Sequence, residues 1–534
     1  MMGEPNTKVY LRPDVKMEPL VGGWYAWGHL LTPLQQALNV AFRQIPMLKS
    51  FLANPAIHEA AVRDPMMLGG PFVEIPASEA KAVSSFLDKM LAGSSNLLAL
   101  AHEWHAFEKS LRESATGFSL ESLYSRMPKM LRGFTELSYD VCSNPGIGIV
   151  EDLSYGVLSD YMLPESASFF RAPDKERKFF LNTPRIDSGS RLVIDVELND
   201  VAFDVLSESR IKPVGIEELI SVFNVTGGER ERFLSLFTTE PPNRNEHKFD
   251  GDGIRLRYFG HACVLVQSAN LSVLIDPLFV FDKESPEALF TFYDLPDYID
   301  FIFITHNHQD HFCAEVLLQL RGRVGNIIVP RNNSSSVADP SMKLALKRLG
   351  FHNVTVMDPM DEIPLYGGGR IVSLPSFGEH ADLNIKSKHG LFLEINNRKI
   401  AFLADSNCLD REMYSQIARR LGSIDTLFIG MECDGAPLSW LYSPYLPSPM
   451  RRKDDDSRRL SGSNCERATA VVEELKPNRA FIYAMGQEDW LTYLCGLQYT
   501  DESEQIIEAR KFIVECQSRE ILIEQLYGCK DIII

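Results

Sequence analysis

Four residues able to bind a metal fall within six positions of this chain. The string FIFITHNHQDHF occupies residues 301–312, and His306, His308, Asp310 and His311 follow its apolar run. Imidazole and carboxylate suit transition ions, and their clustering at the end of an apolar stretch argues against a merely solvated loop. His306 and His308 are two residues apart, so in extended backbone they point to the same side. Asp310 and His311 come where the chain is predicted to turn into a helix over 312–320, which aims them at a neighbouring ion. Two metals about 3.5–4 Å apart can share a bridging oxygen and act together on one substrate or on dioxygen.

These ligands need elements to hold them. A buried strand, IDFIFIT (299–305), delivers the histidines to its carboxyl end. Further strands are predicted at 254–259, 262–267, 271–276, 326–330, 370–375, 391–396, 399–405 and 426–431, with helical stretches between several of them. That alternation predicts a layered α/β domain. The first part of the chain reads differently. Segments 83–92, 97–114 and 119–132 carry apolar residues at three- and four-residue spacing, as amphipathic helices do. Residues 190–206 read as two strands around Asn199-Asp200. The stretch TTEPPNRNEHKFDGDG (238–253) is rich in Pro, Gly and charge and places the domain boundary. A mostly helical N-terminal domain with a few strands is thus expected over 1–245, and the metal-binding domain over 246–534.

Other features read blandly. The Pro- and charge-rich stretch 442–464 is expected to be a long surface loop. Gly367-Gly368-Gly369 reads as a hairpin turn, and Trp24, Tyr25 and Trp27 as core or interface. His102 and His105, beside Glu103 and Glu108, give only part of the repeat used by helical diiron bundles, so they read as helix surface or interdomain packing.

At about 100–200 residues per domain, 534 residues make two to four domains. The formal net charge of −18 excludes a whole-surface attraction to nucleic acid or to an anionic membrane. No secretory signal is visible and no apolar run approaches the ~18 residues of a spanning helix, so a cytoplasmic protein is expected. The nine cysteines are scattered without a C-x-x-C pair and read as free thiols of a reducing compartment.

The string H-x-H-x-D-H resembles the metal signature of the metallo-β-lactamase superfamily. FGHACVLV (259–266) and VLIDPLF (273–279) resemble that fold's opening strands, and FLADSN (402–407) its later strand with a metal-bridging aspartate, here Asp405. The resemblance implies an αββα sandwich over residues ~250–500. Zinc hydrolases of the superfamily usually add two further histidines, one near the end of the domain. The last histidine here is His389, so that ligand is absent. The other position falls in LPSFGEHADL (374–383), which offers both Glu379 and His380. With Glu379, one metal takes His306, His308 and Glu379, the other Asp310, His311 and Asp405. Such carboxylate-rich ligation moves preference from zinc toward iron or manganese.

With these departures, the chain is similar to a narrower family, the diiron β-hydroxylases of nonribosomal peptide biosynthesis, of the chloramphenicol-pathway type. The opening segment YLRPDVKMEPLVGGWYAWGHLLTP (10–33) also resembles the start of that family. The resemblance implies a monooxygenase with two Fe ions in an oxo-bridged cluster, O2 as cosubstrate and an external electron donor. It implies an amino acid held as a phosphopantetheine thioester on a carrier protein, a reductase partner, and a homodimer. The N-terminal domain would then serve dimerisation and carrier recognition. Glu379 and Glu432, the latter in LFIGMECDGAP (427–437), become the catalytic candidates, Glu432 as a carboxylate close to the cluster. Asp276 reads as a supporting or turn residue and His261 as a hydrogen-bonded core histidine. The basic stretches 171–178 and 451–459 are candidate docking patches for an acidic carrier. The alternative is a dinuclear metallohydrolase of a thioester or phosphodiester; the missing terminal histidine and the available Glu379 count against it.

Overall fold

The computed structural model describes residues 7–65, 67–186, 189–244, 248–281, 289–496 and 498–534. Two seven-stranded sheets face each other in the C-terminal half. The first runs Val354–Met357, Val324–Pro330, Ile299–Phe303, Leu271–Ile275, Cys263–Ser268, Arg255–Gly260 and Lys530–Ile533. The second runs Glu362–Pro364, Arg370–Leu374, Gly390–Ile395, Arg398–Phe402, Thr426–Ile429, Arg479–Ile482 and Leu522–Gln525. Each joins an antiparallel meander to a run of parallel strands.

Period-two alternation explains the layer between the sheets. Val264, Val266, Val273 and Ile275 of one sheet meet Leu391, Leu393, Ile400 and Phe402 of the other in a single buried cluster. Burial of each such side chain contributes about 1.5–3 kcal/mol, so this dry layer outweighs any single polar contact in the domain. Helices Arg411–Leu421, Cys465–Leu475 and Glu504–Ser518 cover the second sheet through Tyr414, Ile417, Val471, Leu475 and Phe512. Asp410 and Asn464 start the first two of these, each accepting a hydrogen bond from a backbone N–H of the first turn. The outer face of the first sheet is covered differently. Its Leu265, Leu274, Ile302 and Val329 share one apolar cluster with Leu31, Leu34 and Phe203 of the N-terminal half.

That half holds a four-stranded sheet ordered Trp24–Tyr25, Lys16–Val21, Glu165–Phe170 and Leu192–Asp195, with long helices at Ala80–Gly93 and Ser95–Ser114. The second strand expected within 190–206 is instead the helix Ala202–Ser209. Asp200 Oδ1 accepts from the Ala202 N–H and starts it, and Ala202, Phe203 and Leu206 then share a buried face. The helix expected over 119–132 shrinks to Glu121–Tyr124 and a turn at Lys129–Leu131 behind Pro128. The stretch 442–464 is largely exposed over 447–453, as expected, but is anchored at its ends. It contains the helix Arg452–Ser457, and Tyr442 and Tyr445 are buried. The expected boundary at 245 lies outside the described residues. Among the described residues no helix is long and apolar enough to cross a membrane.

The basic stretch 171–178 is not an open patch either. Arg171 pairs with Asp14 and Lys178 with Glu74, while Arg177 is buried between the two halves. Arg177 donates to Glu18 at 2.8 Å and to Glu315 Oε1 at 3.1 Å. Arg185 and Arg191 also reach Glu18, and the Tyr25 hydroxyl donates to Glu315 at 2.8 Å. Glu315 lies on the helix Ala314–Leu318, just after the histidine string, so this network ties the N-terminal sheet to the metal-binding loop. Removing one partner of a buried network leaves a charge uncompensated. Arg177→Met is expected to destabilise the protein by about 3–5 kcal/mol in urea unfolding, and a loss below ~1 kcal/mol would deny the network that role.

Candidate metal centre

The candidate ligands stand beyond the carboxyl ends of strands, where open α/β sheets gather their ligands. His306 to His311 follow Ile299–Phe303, Glu379 follows Arg370–Leu374, Asp405 follows Arg398–Phe402 and Glu432 follows Thr426–Ile429. Asp276 ends the neighbouring strand with a φ of 41°, a left-handed conformation that Asp tolerates better than most residues. Its Oδ1 accepts the Thr305 N–H at 2.7 Å. Its Oδ2 accepts the Thr305 hydroxyl at 2.7 Å and the His311 Nδ1–H at 2.8 Å. The Thr305 oxygen then accepts His306 Nδ1–H at 3.1 Å. Both imidazoles are thereby held in the tautomer that leaves the Nε2 lone pair free and aimed forward.

Those lone pairs converge. Asp405 Oδ2 lies 3.5 Å from His306 Nε2 and 3.3 Å from His311 Nε2, between the two rings as a bridging carboxylate would. His308 presents its other nitrogen. Its Nδ1 is 3.1 Å from His306 Nε2 and 3.1 Å from Glu379 Oε1. Its Nε2 is 3.1 Å from the Tyr442 hydroxyl, which is itself 3.0 Å from His380 Nδ1. Burial holds the Tyr442 phenol well above its usual range and His380 well below it, so both are neutral. Tyr442 can therefore accept from His308 and donate to His380. One atom each from His306, His308, Glu379 and Asp405 lie within 4.8 Å of one another. Glu379, not His380, joins this group.

Asp310 sits beside it, with Oδ2 3.7 Å from His311 Nε2. His261 accepts the Gly486 N–H on Nδ1 at 3.2 Å, and its Nε2 lies 3.0 Å from Asp310 Oδ2. The Cys495 thiol donates to the same oxygen at 3.7 Å, and burial followed by the Asp310 charge keeps it protonated. Asp276 thus stands behind the candidate ligands, whereas His261 forms with Asp310 and Cys495 a second group of donor atoms within 4.8 Å of one another. His389 is taken up by structure, between Ser373 and the Ile304 carbonyl. His105 stacks on Phe42 at 4.3 Å, an ordinary packing contact.

His261 Nε2, His311 Nε2, Glu379 Oε2, His380 Nε2 and Asp405 Oδ1 are buried without a hydrogen-bond partner among the described residues. Buried polar atoms are ordinarily satisfied, so this group of orphans marks a place for cations. Three imidazoles and three carboxylates fit two transition ions, and the carboxylate share suits iron. Glu432 faces the same space. Burial, then Asp405, Glu379 and Asp310, push its carboxyl well above the usual range. A cleft of about 510 Å³ opens over His308, Asp310, Glu379, Asp405 and Glu432. Sequence reasoning missed Thr305, Tyr442 and Cys495. Thr305 could have been found as the polar residue ending an apolar strand; the other two carry no local signal.

Facing sheets, outer helices and a histidine–carboxylate cluster at the strand ends define a protein of the metallo-β-lactamase fold. Residues 272–482 match the beta-lactamase superfamily domain, and residues 10–241 match the diiron non-heme beta-hydroxylase N-terminal domain. The chain is 34% identical over 528 residues to the 4-amino-L-phenylalanyl CmlP-peptidyl-carrier-protein 3-hydroxylase of Streptomyces venezuelae, across 97% of this chain and 98% of that one. The crystal structure of CmlA, a diiron beta-hydroxylase from Streptomyces venezuelae, matches with a TM-score of 0.92 at 32% identity, covering 99% of this chain and 100% of that one. A glutamate-to-aspartate variant of CmlA matches with a TM-score of 0.89 at 32% identity, covering 98% of this chain and 100% of that one. The chain belongs to the diiron non-heme β-hydroxylase family.

Residues that orient metal ligands typically govern affinity by about 10–100-fold. Asp276→Ala is expected to weaken iron binding by about that factor in competition with a chelator. Unchanged affinity would mean that the two imidazoles need no such anchor.

Proposed function

We propose that this protein is an O2-dependent diiron monooxygenase that hydroxylates the β-carbon of an amino acid held as a thioester on a nonribosomal peptide synthetase carrier domain. The observation that carries the proposal is Glu379. Its carboxylate lies against His308, while His380 turns away to Tyr442. The resulting oxygen-rich donor set favours iron over the zinc of the hydrolases. His306, His308 and Glu379 would hold one iron, Asp310 and His311 the other, with Asp405 between them. The irons, when bound, supply the site and the electron pair for reducing O2, the other pair coming from the substrate C–H bond and an external donor restoring the metal.

The chain's own residues do the rest. Asp276 and Thr305 keep His306 and His311 oriented, and Tyr442 holds the far nitrogen of His308. His261 and Cys495 steady Asp310. Glu432 faces the same cleft beside Asp310, Glu379 and Asp405, where it would be placed to pass a proton to a reacting oxygen. Leu68, Leu441, Leu460 and Leu494 line the cleft and limit water. Trp27, Leu68, Phe179 and Phe180 of the N-terminal half contribute to the cleft wall, and that half would serve carrier recognition and pairing of two copies. The reaction would run in the cytoplasm, with a reductase as electron donor.

Anaerobic loading should give two irons per chain, and Glu379→Ala should lose one of them while His380→Ala keeps both, read by metal analysis. Two irons in Glu379→Ala would remove that residue from the donor set. With reductant, O2 and loaded carrier proteins, the intact enzyme should add one oxygen to an aminoacyl group, read by mass. Turnover without reductant, releasing the free acid, would instead favour hydrolysis.

A further inference from the structure

Glu379 sits on a backbone conformation that its residue type disfavours. Gly378, Glu379, Ala381 and Asp382 have φ of 76°, 66°, 51° and 59°, so four of five consecutive residues are left-handed. Glycine enters that region freely and aspartate tolerates it, but glutamate and alanine do not. Such a turn persists only where its surroundings over-determine it. Those surroundings are tight: a Cβ on Gly378 would lie 2.3 Å from the Asn407 Cβ.

Two cations hold the turn by its carbonyls. Lys388 Nζ donates to the Gly378 carbonyl at 2.7 Å, and Arg458 Nε donates to the Ala381 carbonyl at 2.9 Å. These bonds flank Glu379 and His380, and charged donors make the stronger hydrogen bonds. The Glu379 N–H adds a third hold, donating to the Ser461 carbonyl at 3.2 Å. Lys388 has a firm base of its own. Its backbone bridges to His306, and the N–H of the adjacent His389 donates to the Thr305 carbonyl at 2.9 Å. Lys388 is therefore a strut from the histidine string to the residue before Glu379.

The rival ligand stands next door. The His380 ring lies 4.6 Å from the His308 ring and 5.8 Å from the His306 ring. Its Nε2 is buried without a hydrogen-bond partner among the described residues. A cavity of about 10 Å³ touches His306, Glu379, His380, Lys388 and Asp405 alike. Relaxing the turn would let the His380 imidazole replace the Glu379 carboxylate, and that exchange moves preference from iron toward zinc.

We propose that Lys388 is a positioning residue that selects Glu379 over His380 as metal ligand and so tilts the site from zinc toward iron, with Arg458 holding the other end of the same turn. The proposal rests on the reading of Glu379 as an iron ligand given above.

The test is anaerobic loading of the full chain from equimolar iron(II) and zinc, with the bound ratio read by metal analysis. Lys388→Met should raise the zinc-to-iron ratio about tenfold over the intact protein, with circular dichroism unchanged. Lys388→Arg should keep the intact ratio. His380→Ala placed in the Lys388→Met chain should restore it, which a mere loss of packing would not allow. Arg458→Met should move the ratio in the same direction, and it carries the test if Lys388→Met does not fold. An unchanged ratio in both methionine variants would overturn the proposal. So would a raised ratio that His380→Ala leaves in place, or Lys388→Arg behaving like Lys388→Met. Turnover of the intact enzyme with reductant, O2 and loaded carrier proteins separates the two readings. A raised, His380-dependent ratio without oxygen gain would sink the hydroxylase and leave the strut. Oxygen gain with unmoved ratios would do the reverse.

Discussion

The Asp276 carboxylate is the fixed point of this molecule. It is fully buried, and its two oxygens accept three hydrogen bonds from Thr305 and His311. Through Thr305 it also settles the orientation of His306. A loop of six residues carrying four candidate ligands would otherwise sample many rotamers, each ring losing entropy on binding. Anchoring that loop to the end of the adjacent parallel strand sets the ligand geometry before any ion arrives. The strand pairing itself, Ile275 beside Phe303, brings the anchor and the loop to the same level.

A second constraint acts from outside the sandwich. The N-terminal half covers the outer face of one sheet with a shared apolar cluster, and Arg177 locks Glu315 just beyond the histidine string. Tyr442 performs the matching task on the opposite side, where it holds His308 and His380. The metal loop is therefore braced by residues far apart in sequence. Such buried polar contacts cost desolvation and return it only when every partner is present, which makes the arrangement specific as well as stable.

How much of this was legible follows from distance along the chain. The string His306–His311 is compact, so its chemistry could be read at once. The sheet strands were legible because period-two alternation is local, and the fold class followed from them. Asp405 and Glu379 were reached through resemblance, since nothing in their own surroundings marks them. Tyr442 was hidden in a stretch whose Pro, Arg and Asp content reads as surface. Its burial arises from His29, whose ring lies 6.5 Å from its own, and from Tyr445, which His29 and Asn39 hold across some four hundred positions. The misread strand after Asp200 shows the limit in small: Val201 to Leu206 is nearly all apolar and suits either element, and the chain forms a helix there that buries Ala202, Phe203 and Leu206, with Asp200 Oδ1 accepting the Ala202 N–H.

The floor of the cleft comes from the C-terminal half and its walls from both, with Trp27, Leu68, Phe179 and Phe180 supplied by the N-terminal half. Part of the choice of target is thus written in a stretch of gene separate from the oxidising power. A lineage could drift at Phe179, Phe180 or Leu68, acquire a new clientele, and never disturb the loop that holds the metals. Divergence in what such enzymes act upon, with sameness in how they act, is the evolutionary signature this division of labour would leave.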